Sequence, residues 1–290
     1  MNRLREFFLQ EQKFFWTLPA LLWQILFLCM PFLFVLGVSF ISVTDTESLS
    51  FTLAHYKALA LPVYAYIILR SLVLALTTAT LCLCIGYPVS YYLAFYVKRW
   101  KNPLLFLLIL PFWTNILVQV YAWFFILEKE GIINNVLRGL GIIQQPLALL
   151  NSIFAIAIVM LYCFLPFMIF PIYTVLEKMD RTLIEASKDL GATTFQTWRR
   201  VVLPLSMPGI KTGFFLVFVP AFGEFVIPLL MGGDKYFFVG GLISYEVLIA
   251  RDWPFAAAFT VVACLVLLIA LYSINRLLSR STRLVYGGSK

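Results

Sequence analysis

The sequence predicts an all-α membrane protein with six transmembrane helices, and three observations carry that expectation. Of the 290 residues, 62% are hydrophobic and 12% charged, with a mean hydropathy of +0.93, which leaves too little polar surface to cover a soluble globule. Six apolar runs each reach the roughly 20 residues that a helix needs to cross hydrocarbon. The basic residues gather at the ends of those runs, as topology signals do.

The first run, 15–42, is too long for a signal-peptide core and lacks a small-residue cleavage site, so it is expected to remain as a span. The other runs cover 67–97, 103–127, 152–176, 207–231 and 254–278. Residues 15–278 therefore read as one membrane domain between a short segment, 1–14, and a tail, 279–290. Arg3, Arg5 and Lys13, then Lys98, Arg99 and Lys101, then Lys178, Arg181, Lys188, Arg199, Arg200 and Lys211, then Arg276, Arg280, Arg283 and Lys290 fall on one side. Only Lys57, Lys129, Arg138, Lys235 and Arg251 fall on the other, and Arg70 sits just inside the second span. Cationic loops stay inside, so both termini are expected in the cytoplasm. Residues 127–150 carry Gly131, Gly139, Gly141 and Pro146 among apolar side chains, which suggests a short helix lying on the membrane surface rather than a seventh span.

Several function classes drop out. The net charge of +8 is scattered rather than gathered on one face, which speaks against nucleic acid. His55 is the lone histidine, and Cys29, Cys82, Cys84, Cys163 and Cys264 all sit in apolar runs as packing residues, so neither a catalytic nor a metal centre is expected. A Gly-x-x-x-x-Gly-Lys-Ser/Thr stretch does not occur. An energy source would have to be another polypeptide, which would bind ATP and Mg itself.

One stretch, 177–204, is far richer in charge than the rest and reads as two short helices on the cytoplasmic side. Thr182 with Glu185 matches a capping box, and Gly191 is placed to end that helix in a left-handed conformation. Thr193 with Gln196 matches a second box, and Pro204 is expected to stop the second helix. Glu185-Ala186-Ser187, then Gly191, then Val201-Val202-Leu203-Pro204 resembles the EAA loop of ATP-binding-cassette importer permeases, with Ser187 in place of an Ala and Val201 in place of an Ile. The resemblance implies a type I importer permease fold in the inner membrane of a bacterium. It also implies that Glu185, Ala186, Ser187, Gly191, Val201, Leu203 and Pro204 belong to coupling helices that dock on an ATPase subunit pair. The chain would then be a transport subunit rather than an enzyme, with a second homologous permease and a soluble solute-binding protein as further partners. Ordinary cap and stop residues in a loop that binds nothing are the other reading of the same pattern.

Further stretches are similar to the spermidine/putrescine permeases: Ile85-Gly86-Tyr87-Pro88, Leu110-Pro111-Phe112-Trp113-Thr114, Tyr121-Ala122-Trp123, Leu165-Pro166-Phe167-Met168 and Arg251-Asp252-Trp253-Pro254. Val219 to Pro228, containing Gly223-Glu224-Phe225-Val226-Ile227-Pro228, is similar to the first permease of putrescine systems. This likeness implies a polyamine substrate, while sister families for sulfate, molybdate and ferric ion share the layout. Glu224 lies in the outer half of the fifth run between Pro220 and Pro228, and a carboxylate at that depth needs water, a cation or a partner. It is expected either on a cation pathway or paired with Arg70. Trp113, Tyr121, Trp123 and Tyr162 are expected either to hold an ammonium chain by cation–π contact or to anchor span ends at the interface. Asp234 and Asp252 are expected to be solvated.

Rival classes fit less well. An anion site would want convergent cations at depth, and only Arg70 is available. A membrane enzyme would need paired carboxylates, a metal cluster or an activated nucleophile, and Asp180, Glu185 and Asp189 sit in the capped loop instead. A free-standing secondary transporter would need inverted repeats, and no repeat stands out.

Overall fold

The computed structural model describes residues 2–43, 49–233 and 236–286, so Asp234, Lys235 and Lys290 lie outside the described residues. Almost every described element is helical. In chain order they are α1 (Asn2–Val38), a hairpin of β1 (Ile41–Val43) and β2 (Leu49–Phe51), α2 (Ala54–Ala58), α3 (Pro62–Phe95), α4 (Lys101–Ile109), α5 (Ile116–Leu127), α6 (Ile132–Gly139), α7 (Ile153–Glu177), α8 (Thr182–Asp189), α9 (Thr194–Thr197), α10 (Leu203–Gly223), α11 (Val226–Gly232), α12 (Val239–Tyr245) and α13 (Trp253–Tyr286). Among the described residues five helices are long and apolar enough to cross a membrane, and the count is six where a pair bent at a short break is taken as one span.

The chain divides into two compact units, one of Met1–Leu61 with Tyr245–Val262 and one of Pro62–Ser244 with Ala263–Lys290. In the first, β1 and β2 pair antiparallel with Ile41 opposite Phe51, and the Phe40 and Phe51 rings stack at 5.3 Å. Ser39, fully buried, bonds Tyr56 at 2.7 Å and tethers α2 to the end of α1.

In the second unit α3, α7 and α10 pack on one another as a three-helix core. Lipid tails are as apolar as leucine, so such helices are held by close packing and interhelical hydrogen bonds rather than by escape from water. Small residues allow the approach. A Cβ on Gly209 would lie 2.7 Å from the Pro171 carbonyl oxygen, one on Gly213 3.0 Å from that of Met168, and one on Gly86 3.1 Å from the Met168 side chain. Residues 168–172 of α7 are thus clamped between glycines of α3 and α10. Polar bonds fix the register: Ser90 Oγ donates to Ile169 O at 3.0 Å, and Ser206 Oγ donates to Tyr87 Oη at 3.3 Å. Lys211 Nζ donates to Ser279 Oγ at 3.0 Å and ties the C-terminal part of α13 to α10.

Two of the expected spans are interrupted. The run 103–127 is not one helix: after α4 a 3-10 turn, Leu110–Trp113, leads to extended Thr114, and the segments on either side bend by 96°. The cause is local. Asn115 accepts a bond from Leu117 N at 2.8 Å and starts a new helix, while Pro111 sits in the turn just before. The run 207–231 breaks at Glu224–Phe225, so Pro220 lies within α10 and Pro228 within α11 rather than at the interruption. The helix expected in 127–150 is α6, and buried Asn134 holds that segment by bonding Glu128 O, Leu147 O and Leu147 N.

The glycine contacts give a direct test. Gly209→Leu overfills the α7–α10 crossing and is expected to destabilise by about 1 to 3 kcal/mol. Gly241→Ala, where nothing lies within 4 Å of the added carbon, serves as the control. Thermal unfolding of the detergent-solubilised protein should separate them, and equal melting of the two variants would remove the clamp.

Candidate functional site

The charged stretch builds a stiff protrusion. In α8 the first turn is capped by Asp180 Oδ1, which accepts from Thr182 N at 3.0 Å. The Thr182–Glu185 capping box is therefore absent: Thr182 is already inside the helix and Arg181 occupies the cap position. Bonds from the Thr182 backbone and side chain hold the Asp180 carboxyl below its usual range. The carboxylate cap is thus present at neutral pH and lost only as the pH falls through that lowered value. Gly191 takes φ of +81°, as a helix-ending glycine should.

The Thr193–Gln196 box does form, with Gln196 N donating to Thr193 Oγ1 at 3.3 Å and Thr193 N donating to Gln196 Oε1 at 2.9 Å. Pro204 does not stop this helix. A π-helical turn, Trp198–Val202, stands in front of it and leads directly into α10, a widening that accommodates a residue with no N–H and a bulky ring. Val201, Leu203 and Pro204 therefore lie at the root of α10. A bond between Ser187 Oγ and Thr197 Oγ1 at 2.8 Å locks α8 to α9. Glu185 and Ala186 face solvent, as does Leu190, which is 89% exposed, beside exposed Leu183 and Phe195. The base is secured to the core, since the Tyr87 and Trp198 rings meet edge-on at 6.0 Å and Arg181 covers the Phe95 ring at the end of α3.

The second constellation lies at the two breaks. At the first, Gln119 Nε2 donates to Thr114 Oγ1 at 2.7 Å and also to Pro111 O, while Thr114 Oγ1 donates to Pro111 O at 2.8 Å. These residues line a cavity of about 180 Å³ closed on its other side by Cys163, Pro166 and Phe167 of α7. At the second break Glu224 Oε1 accepts from Val226 N at 2.9 Å and from Ile227 N at 3.3 Å, so the carboxylate caps α11. The helix it caps, α11, packs against α5 and α7. Glu224 itself is not among the residues lining the cavity at the first break; it stands at the second break, at the start of the helix that packs beside it.

The expected pairing of Glu224 with Arg70 is not seen among the described residues; the Arg70 guanidinium covers the Tyr66 ring at 4.5 Å instead. Of the aromatic candidates, Trp123 and Tyr162 meet edge-to-face at 5.5 Å across α5 and α7. Trp113 is 73% exposed and contacts only Phe106 among the described rings, and Tyr121 is exposed as well. Gln119 and Asn115 escaped sequence reading, and Thr114 was named only within a family-like stretch, although a proline followed four residues later by a capping Asn marks such a break.

Residues 86–284, which hold the protrusion, both breaks and the glycine clamp, match the sequence profile of the binding-protein-dependent transport system inner membrane component family. The chain belongs to that family. It is therefore a multi-pass inner-membrane transport component rather than an enzyme. It is 41% identical over 267 residues to the spermidine/putrescine transport system permease protein PotB of Haemophilus influenzae, covering 90% of this chain and 93% of that one. Against PotB of Escherichia coli the identity is 39% over 90% and 97%. The fold matches that of a bacterial ABC transporter involved in import of the acidic polysaccharide alginate, with a TM-score of 0.71 at 18% identity over 96% of this chain and 99% of that one.

The Glu224 geometry separates two effects within this permease family member. Glu224→Ala removes both acceptor bonds and should cost a cap's worth of stability, about 1 kcal/mol, seen as a lower melting temperature, whereas Glu224→Gln keeps an acceptor oxygen and should melt near wild type. Equal melting of the Ala variant and wild type would show that the cap is not formed.

Proposed function

We propose that this chain is one of two permease halves of an ATP-driven polyamine importer. The observation that carries the reading is its similarity to PotB over nine-tenths of the chain. The geometry supports the same class of solute. The Pro111 carbonyl and the Thr114 hydroxyl lie at the cavity of the first break and the Glu224 carboxylate at the second, and such oxygen acceptors suit an ammonium group that must shed water. The edge-to-face pair of Trp123 and Tyr162 adds quadrupolar surface for a dry cation, worth about 0.5 to 2 kcal/mol per ring.

In this reading the 177–204 protrusion is the coupling element. Its caps, the Ser187–Thr197 bond and the continuous run into α10 make it a short rigid lever. Exposed Leu183, Leu190 and Phe195 offer apolar contacts to a partner ATPase pair, which binds ATP and Mg. A soluble binding protein delivers the solute on the opposite face, in keeping with the family to which the chain belongs, and both termini lie in the cytoplasm. ATP-driven closure of the ATPases then tilts α10 through its root at Val201–Pro204 and opens the breaks at Thr114 and Glu224 to the outside. Hydrolysis resets them inward.

Two measurements test this. In proteoliposomes holding the complete complex, labelled putrescine uptake should depend on ATP, and Glu224→Gln should lower it about tenfold, the worth of one charge-assisted hydrogen bond; unchanged uptake would take Glu224 off the pathway. Gly191→Val forces a β-branched residue into a left-handed conformation at a cost of about 1 to 2 kcal/mol. It should leave membrane insertion intact while ATP hydrolysis proceeds without uptake. Normal coupling in that variant would refute the lever.

A further inference from the structure

An arginine on a membrane helix demands a partner, and Arg70 has an unusual one. It lies on α3, whose Tyr87 touches Trp198 at the root of the charged protrusion. Seventeen residues at 1.5 Å each place Arg70 about 26 Å further along the helix, close to the roughly 30 Å thickness of the hydrocarbon layer. Arg70 therefore sits at the interface opposite the protrusion. Its guanidinium carbon lies 4.5 Å from the Tyr66 ring centroid and 5.8 Å from that of Tyr236. Among the described residues no carboxylate pairs with it; the described ion pairs are Lys101–Glu177 and Arg138–Glu130.

Directly beside Arg70 is a cavity of about 270 Å³ between α3 and α7, walled almost wholly by carbon, with Val73, Ile153 and Ile156 among its lining. At about 30 Å³ per water-sized group, it has room for a length of hydrocarbon chain. Exposed Leu69, Val73 and Ile153 form its rim. One permanent cation at the mouth of an apolar slot, flanked by tyrosines at headgroup depth, fits a molecule with an anionic head and a hydrocarbon tail. The rings cover the guanidinium face, and since no acceptor among the described residues takes its edge N–H groups, these suit the paired bonds that phosphate accepts.

We propose that this cleft binds one anionic phospholipid, with its phosphate on Arg70 and an acyl chain between α3 and α7. The site stands apart from the proposed solute pathway. A cationic solute is repelled by Arg70, and the carbon walls give a free phosphate nothing to hold beyond the one guanidinium.

Native mass spectrometry of the complete complex, titrated with phosphatidylglycerol and with phosphatidylcholine of the same chains, tests this. Wild type should retain phosphatidylglycerol in preference, one molecule per copy of this chain. Arg70→Gln should lower its occupancy about tenfold, as loss of a charge-assisted pair does, and Arg70→Lys should keep part of the preference. Val73→Phe, at the exposed rim, fills the slot and should lose both lipids; it decides the matter should the Gln variant not fold. Phosphatidylglycerol retained at wild-type level in Arg70→Gln or in Val73→Phe overturns the proposal. So does displacement of the lipid by glycerol phosphate, which has the head without the tail.

Discussion

A peptide N–H in hydrocarbon has no water to turn to, and this one constraint shapes the whole chain. Where helices pack on each other the backbone closes its own bonds, and glycines at 86, 209 and 213 let α7 approach α3 and α10 closely enough for Ser90 to add a bond across the gap. Departure from helix is tolerated only where side chains replace what the backbone loses. Asn115 and Glu224 each do so by capping the helix that restarts after a break.

Those same caps explain why a carboxylate survives inside a membrane protein. Glu224 is held by two backbone N–H groups at the start of α11, so its charge is partly met by protein before any cation arrives. Partial compensation suits a transport site: a carboxylate with no other bonds would hold a cation too tightly to release it, and one fully paired with arginine would not attract it. The proposed lever and pathway are joined by α10, whose root carries the protrusion and whose far end is Glu224. In that reading a tilt at one end is carried to the other along the same helix.

Much of this was legible in the residues. Apolar runs long enough to cross, basic clusters at their ends and the capped loop led to the right class, because hydropathy and helix caps are local properties. Gly191 and the Thr193–Gln196 box needed no tertiary information. The interruptions were harder, since a run such as 103–127 is as apolar as a straight span and only the Pro111 and Asn115 spacing betrays the bend. Pro204 misled for a related reason: proline stops an isolated α-helix, but a π-helical turn lets the chain pass, and that widening depends on what α10 packs against. The Tyr66 ring over Arg70 is a neighbour four residues back on the same helix and was legible in the spacing, whereas Tyr236 comes from a distant segment and was beyond sequence reach; among the described residues these rings, and no carboxylate, are its partners.

The most direct test of the proposed solute pathway past the two breaks uses the cysteine that lines the cavity at the first. In the complete reconstituted complex, with Cys29, Cys82, Cys84 and Cys264 replaced by alanine, a small cationic methanethiosulfonate should modify Cys163. Putrescine should slow that modification, and the protection should vanish in Glu224→Gln. A Cys163 that stays inert in every nucleotide state, or reacts equally with and without putrescine, would contradict the account.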